Sequence, residues 1–272
     1  MDDLSEELQS WRNRGDYHTI QGEQIFCVTA GDPADDPLVV LHGYPTSSWD
    51  FQKVLEQLAE RFFVVVHDHL GFGLSDKPED YSYSLMEQAD NALMLWRGLG
   101  IDSAHVLAHD YGTSVATELA ARRERGLLEF ELRTLTLCNG SVHVELADMS
   151  KLQRVLAMPK VGDVVAKFAS ETMFVRQLRR IGGSRAEIPR RELSLMWELL
   201  THKGGRERIP QIAQYQKERR TFWHRWIGAL ERLDLPTHVL WGREDGVAVA
   251  AIARQLAGEI PGAELTWLEG LG

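Results

Sequence analysis

His105-Val106-Leu107-Ala108-His109-Asp110-Tyr111-Gly112-Thr113-Ser114-Val115-Ala116 is the stretch on which the fold turns. An apolar run enters it and a helical run, Thr113 to Ala120, leaves it, which predicts a strand-to-helix corner at Asp110. Ala108 and Gly112, two positions to either side, are small enough to let the backbone turn tightly and push the middle side chain outward. A carboxylate displayed in this way can attack an electrophilic carbon and pass through an ester. Asp is also a favoured helix N-cap, so the corner alone leaves a purely structural role open.

Strand-like runs recur on either side of this corner, at Gln24 to Ala30, Leu38 to Leu41, Phe62 to His67, Ala104 to His109 and Leu132 to Cys138. Helical stretches near 48–60, 84–99 and 112–125 separate them, the alternation of a mostly parallel, doubly wound α/β sheet. Leu38-Val39-Val40-Leu41 and Phe63-Val64-Val65-Val66 are apolar without alternation, as strands buried on both faces are. From about 140 to 228 no strand pattern appears; the segment reads as helices punctuated by Pro159, Gly182-Gly183, Pro189, Gly204-Gly205 and Pro210. Strand rhythm resumes at 236–242 and 263–268, with a helix near 248–259 between them. The expected organisation is a sheet domain of residues 1–139 and 229–272, with a helical cap of residues 140–228 inserted in it.

A chain of 272 residues with 44% hydrophobic content can bury a large core. No apolar run is long enough to span a membrane, and Met1-Asp2-Asp3-Leu4-Ser5-Glu6-Glu7 is acidic where a secretion signal is basic and then apolar. A cytoplasmic protein with no membrane partner is expected. Cys27 and Cys138 lie in apolar runs, as buried free thiols do. The net charge of −10 is unevenly spread: residues 151–228 carry 17 Lys and Arg against 7 Asp and Glu, and the rest 13 against 33. With no nucleic-acid motif beside it, the basic segment reads as a solvated lid on an acidic base. Trp197, Trp223 and Trp226 are expected to pack the cap helices. His67 and His69 have a spacing that suits metal ligation but lack a third ligand nearby. Gly71-Phe72-Gly73 begins like a dinucleotide fingerprint without its third glycine. Neither metal nor cofactor is expected.

Open α/β sheets bind ligands at the carboxyl ends of their strands, and the suggestive residues all fall there. His42-Gly43-Tyr44-Pro45-Thr46-Ser47-Ser48 follows the Leu38 run, Asp68-His69-Leu70-Gly71-Phe72-Gly73-Leu74-Ser75-Asp76-Lys77-Pro78 follows the Phe63 run, and Gly242-Arg243-Glu244-Asp245 follows the Val239 run. Together with His109-Asp110-Tyr111-Gly112, these segments resemble the epoxide hydrolase and haloalkane dehalogenase branch of the α/β-hydrolases. Within it the chain is most similar to the mesoderm-specific transcript proteins. That similarity runs through Leu137-Cys138-Asn139-Gly140, Gln214-Tyr215-Gln216-Lys217-Glu218-Arg219-Arg220 and Arg225-Trp226-Ile227-Gly228-Ala229-Leu230.

The resemblance implies an α/β-hydrolase fold with its cap after the sixth strand. It also implies an Asp110 nucleophile, a triad acid at Asp245 with Glu244 as the rival, and an oxyanion hole from the Tyr44 and Tyr111 amides. Tyr215 matches one of two cap tyrosines that protonate an opening epoxide; the second has no match in 167–174, where only Phe stands. Tyr215 is expected on a helix opened by Pro210, on a face with Ile212, where packing is the alternative role. Tyr111 replaces the Trp that commonly holds a departing halide, which counts against dehalogenation. The family's histidine base would follow Gly272 directly, so the chain is expected to stop just short of it. His109 is expected to point away from its strand neighbour Asp110, and His143 or His224 would have to approach from the cap. The expected activity is hydrolysis of a small apolar or amphipathic electrophile by water through an alkyl ester, epoxides first. Dehalogenation or another carboxylate-nucleophile hydrolysis, and a non-catalytic binding role, are the alternatives, and a homodimer is left open.

Overall fold

The computed structural model describes residues 4–140, 142–158, 160–185 and 187–272; Met1 to Asp3 and the helix break expected at Pro159 lie outside them. Eight strands form one sheet: β1 (Gly15–Ile20), β2 (Glu23–Ala30), β3 (Pro37–Leu41), β4 (Phe63–His67), β5 (Ser103–His109), β6 (Glu131–Cys138), β7 (Thr237–Gly242) and β8 (Glu264–Leu268). Their spatial order is β1-β2-β4-β3-β5-β6-β7-β8. Only β2 runs antiparallel to its neighbours, β1 and β4; the remaining pairs are parallel.

Helices α1 (Glu6–Arg12), α2 (Leu55–Ala59), α3 (Leu85–Gly98), α4 (Tyr111–Glu124) and α12 (Ala250–Glu259) flank the sheet. Between β6 and β7 come α5 (Lys151–Leu156), α6 (Val161–Lys167), α7 (Glu171–Ile181), α8 (Arg190–Thr201), α9 (Gly205–Ile212), α10 (Tyr215–Thr221) and α11 (Trp223–Leu230). This is the α/β-hydrolase architecture with its helical insertion after the sixth strand. Serine hydroxyls start several helices, Ser84 accepting from Met86 N–H at 3.2 Å and Ser150 from Gln153 N–H at 3.2 Å.

Alternation along the central strands sends side chains to opposite faces. Val39, Leu41 and Val65 join a core with Trp96, Leu119 and Trp226 under α3, α4 and α11. Leu38, Val40, Val64 and Val66 join a second core with Leu8 and Trp11 of α1 and Leu193 and Leu199 of α8. The insertion is thus fastened to the N-terminal helix, where Ser5 N–H and hydroxyl both donate to Glu198, at 2.6 and 2.5 Å. Arg191–Glu7, Lys203–Asp76 and Arg208–Glu79 add ion pairs between basic lid and acidic base. None of the described helices is long and apolar enough to cross a membrane.

Several expectations are corrected. β1 has no apolar alternation to announce it and forms by pairing its backbone with β2. Pro210 lies inside α9 rather than at the start of a helix, and Tyr215 opens α10 instead. Trp226 packs on α4, its indole donating to Glu118 Oε2 at 2.8 Å, rather than between cap helices. Trp223 is 46% exposed. Trp197 does pack inside the cap, against Phe174.

Candidate active site

β5 ends at His109, and the chain turns through Asp110 at φ 45° and ψ −105° into α4. Such a backbone costs about 1–3 kcal/mol for a residue with a Cβ and persists only where its surroundings over-determine it. Here the Asp110 N–H donates to Cys138 O and the Gly112 N–H to His42 O, each at 3.0 Å. The Asp110 carbonyl accepts the Thr113 hydroxyl at 2.6 Å. Gly112 is required for the turn, since a Cβ there would lie 2.3 Å from the Leu41 carbonyl oxygen. Asp110 holds the N-cap position of α4, yet its side chain makes no capping bond. Its Oδ1 accepts the Tyr44 N–H at 2.9 Å instead. The corner displays the carboxylate; it does not use it to start the helix.

A cavity of about 230 Å³ opens in front of Asp110, with Tyr44, Asp50, His109, Asn139, Tyr215 and Asp245 in its walls. The loop carrying Tyr44 is set by buried His42, whose Nε2 accepts the His69 N–H at 3.0 Å, leaving Nδ1 to donate to Gly43 O at 2.8 Å. Burial lowers the His42 pKa and so favours this neutral ring. His67 and His69 are buried and packed against aromatic rings, with pKa values lowered by burial and by neighbouring histidines.

Asp245 follows β7. Its Oδ1 accepts the Val247 and Ala248 N–H groups at 2.7 and 2.8 Å, and its Oδ2 the Asn139 amide at 2.9 Å. Burial raises its carboxyl above the ordinary range despite these three bonds, and the Asp110 charge adds to the rise. Glu244 is exposed and accepts the Ser184 N–H at 2.7 Å, away from the cavity. Gly272 packs against the Asp245 backbone, where a Cβ on it would lie 2.9 Å from the Asp245 Cα.

Tyr215 is buried in the cavity wall with its ring 5.4 Å from Tyr44 and 5.1 Å from Tyr111. Burial and the Asp110 charge hold its hydroxyl above the ordinary phenol range. The Tyr111 side chain is a different case. Its ring is buried among His69, Phe72 and Tyr215, and its hydroxyl donates to Tyr83 O at 3.5 Å rather than facing the cavity. A phenol so placed is not available to a departing halide.

His109 corrects the expectation that it would point away from the site. The cavity lies beyond the tip of β5, where both strand faces open onto it, so alternation no longer separates the two residues. Among the described residues it is the only histidine in the cavity wall. His143 is held by Glu145 and Glu259 at 2.8 and 2.7 Å, and His224 is exposed.

The sequence reading passed over three further residues. Asn139, at φ 39°, donates to Asp245 and Gly242 O and accepts the Gly242 N–H at 2.7 Å, tying the ends of β6 and β7 together. The Asn-Gly pair after the β6 run was its available signal. Arg219 lies in the basic segment whose composition predicts a solvated face, yet it is 1% exposed. It donates to Ser114 Oγ at 2.7 Å and Asp110 O at 3.2 Å, and its guanidinium lies 4.5 Å from the Tyr215 ring centroid. It couples α10 to the corner. Asp50, on the 3-10 turn Ser48–Phe51, carries no motif at all.

A sharp corner carrying a carboxylate, beneath a helical lid and at the carboxyl edge of this sheet, defines an α/β hydrolase. Residues 36–269 match the alpha/beta hydrolase fold family, and the chain belongs to it. LipZ of Mycobacterium tuberculosis is 39% identical over 98% of this chain and 92% of its own length. The mesoderm-specific transcript protein of Mus musculus is 35% identical over 90% of this chain and 75% of its own. A loop variant of the haloalkane dehalogenase DbeA from Bradyrhizobium elkanii superposes with a TM-score of 0.79, covering 95% of this chain and 89% of its own at 21% identity. At that identity the likeness speaks to the fold.

Proposed function

We propose that the chain is a hydrolase of small apolar carbon electrophiles, epoxides foremost, with Asp110 as nucleophile and an alkyl ester as intermediate. The carrying observation is the Asp110 carboxyl at its strained corner, uncommitted to capping and facing the cavity with one oxygen on the Tyr44 N–H. In this reading the free oxygen attacks the ring carbon. The oxygen held by Tyr44 becomes the ester carbonyl, and the same N–H, with that of Tyr111, then stabilises the oxyanion formed when water attacks. Tyr215 offers a hydroxyl to the opening ring. Asp245 is the acid suited to orient an imidazole base. A second, apolar cavity sharing Tyr44, Gln153, Leu178 and Ile181 extends into the lid toward Leu156 and Trp197, which suits an apolar substituent on the electrophile.

Intact-mass measurement after incubation with a terminal epoxide tests this. The expected result is an adduct of the whole epoxide mass, lost in Asp110→Asn. An alkyl halide that labels the protein while epoxides do not favours dehalogenation, and no labelling by either class favours a binding protein and overturns the catalytic reading.

A further inference from the structure

Among the described residues, Asp50 is the one carboxyl in the cavity wall to which the chemistry above gives no task. Its Oδ2 accepts the Thr46 hydroxyl, and its Oδ1 is buried with no hydrogen-bond partner. Among the described residues no cation pairs with it. Lys53, on the same segment, pairs with Glu192 of α8. The charged groups that act on Asp50 are Asp68, Glu192 and Asp110, all of one sign, and the cavity it shares holds His109 and Asp245 as well. Burial first, then these three carboxylates, lift its carboxyl to about 7 against the opposing Thr46 bond. Other acids nearby are better supplied with donors. Asp68 takes the Ser48 and Leu74 N–H groups, each at 2.7 Å, and Asp245 takes three N–H groups. Up to about pH 7 the cavity that Asp110 faces therefore presents a carboxyl that keeps its proton.

Resting on the site reading given above, we propose that Asp50 is the general acid that protonates the oxygen released when Asp110 opens an epoxide. An Asp110 oxygen forms the bond to the ring carbon, and the carbon–oxygen bond of the ring breaks with its electron pair on oxygen. That oxygen takes the Asp50 proton, leaving a hydroxyalkyl ester and an Asp50 carboxylate. The net charge of the site does not change, because one carboxylate is consumed as another forms. Tyr215 is the poorer source of that proton. Its hydroxyl starts from an ordinary value of 10.0 and is raised by burial, so Asp50 releases a proton at least ~10³-fold more readily. Tyr215 then orients the ring oxygen by hydrogen bonding without giving up its own proton.

The test is the single-turnover rate of Asp110 labelling, followed by intact mass between about pH 5.5 and 9, with a terminal epoxide and with a primary alkyl iodide. Iodide leaves without a proton, so it separates proton delivery from general damage. For the unsubstituted chain, the epoxide rate is expected to fall about tenfold per pH unit above about 7, as an acid titrating there requires. Asp50→Asn is expected to lower the ratio of epoxide to iodide rate by about 10²-fold or more and to abolish the descending limb. Thr46→Val removes a bond that favours the charged form, so it is expected to move the limb to higher pH even if the Asn variant folds poorly. An Asp50→Asn protein with an unchanged rate ratio, or a limb that Thr46→Val leaves in place, overturns the proposal. Absence of labelling in the unsubstituted chain, or labelling that survives Asp110→Asn, overturns the nucleophile reading itself and is distinguishable from either.

Discussion

Glu118, on α4, is 1% exposed and holds the returning end of the cap to the core. Its Oε1 accepts Arg122 Nε at 2.9 Å and Arg225 Nη2 at 2.7 Å, and its Oε2 accepts Arg225 Nε and Trp226 Nε1, each at 2.8 Å. Replacing it with Ala leaves the fully buried Trp226 N–H unpaired and the Arg225 guanidinium without its carboxylate, while Arg122 keeps Asp90. Breaking a buried pair from one side costs about 3–5 kcal/mol, so Glu118→Ala is expected to lose that much in urea unfolding at neutral pH. Glu118→Gln keeps an acceptor for Trp226 and is expected to lose about 2 kcal/mol, the worth of hydrogen bonds to a charged group. Arg225→Ala removes a partner whose side chain is 20% exposed and should cost less than Glu118→Ala, with a coupling of at least about 1 kcal/mol in the Glu118/Arg225 double-mutant cycle. The lock also has a pH signature. Burial alone would raise the Glu118 carboxyl, but the Arg225, Trp226 and Arg122 bonds outweigh it and hold the pKa below the ordinary 4.5. A depressed folded value means that the stabilisation is present above the unfolded value and is lost as pH falls through the folded one. The advantage of the native chain over Glu118→Gln should therefore shrink below about pH 4. A Glu118→Ala loss under about 1 kcal/mol would refute the account, since surface ion pairs are worth no more than that.

Arg219→Ala removes two hydrogen bonds and the cation over Tyr215; thermal unfolding should show a loss of about 2–4 kcal/mol, and epoxide labelling of Asp110 should slow with it. Asp50→Asn should stabilise the protein, and more so in alkali. The folded carboxyl, raised from 3.8 to about 7, supports the fold below the unfolded value and loses that support as pH climbs to about 7. Between about pH 5 and pH 8.5 the stability difference in favour of Asn should grow by about 3 kcal/mol in denaturant titrations, and equal differences at both pH values would contradict it. Gly112→Ala pushes a Cβ to 2.3 Å from a backbone oxygen that cannot rotate away; a melting temperature equal to that of the native chain would show that the corner is slacker than described, the expected cost being about 3 kcal/mol or more.

What could be read from the chain depended on how local its cause was. β3 and β4 announce themselves because a strand buried on both faces must be apolar throughout. The Asp110 corner announces itself because strand, small residue, acid, glycine and helix are consecutive. β1 gives no such signal, since residues Gly15 to Ile20 are an edge half covered by solvent and their pairing with β2 is made by backbone atoms. Asp50 is invisible for another reason. Its unusual state depends on burial and on the charges of Asp68, Glu192 of α8, from far along the chain, and Asp110, which lines the same cavity. Arg219 lies in a run of basic residues that looks solvated, and only the packing of α10 onto the corner separates it from Arg220, which stays exposed.

Three carboxyls around one cavity raise the question of which of them carries charge, and the donor inventory answers it. Like charges within a small, partly desolvated space cannot all ionise cheaply, so the acid with a buried oxygen that no donor reaches is the one pressed to keep its proton. Asp245 accepts three N–H groups and Asp110 accepts one amide that also serves the later oxyanion, whereas Asp50 has only a hydroxyl. The state of Asp50 is in turn set partly by the Asp110 charge. In the mechanism proposed above, esterification of Asp110 would remove that charge, so the neutral preference of Asp50 would weaken at the step in which it is proposed to release its proton. Hydrolysis of such an ester would restore the Asp110 carboxylate and with it the pressure on Asp50 to take a proton back. The coupling requires that the Asp50 carboxyl titrate at lower pH in the Asp110 ester than in the free protein, a shift that carboxyl infrared bands or ¹³C chemical shifts can follow directly. Equal titration in both states would uncouple the two acids and leave Asp50 a bystander in the wall.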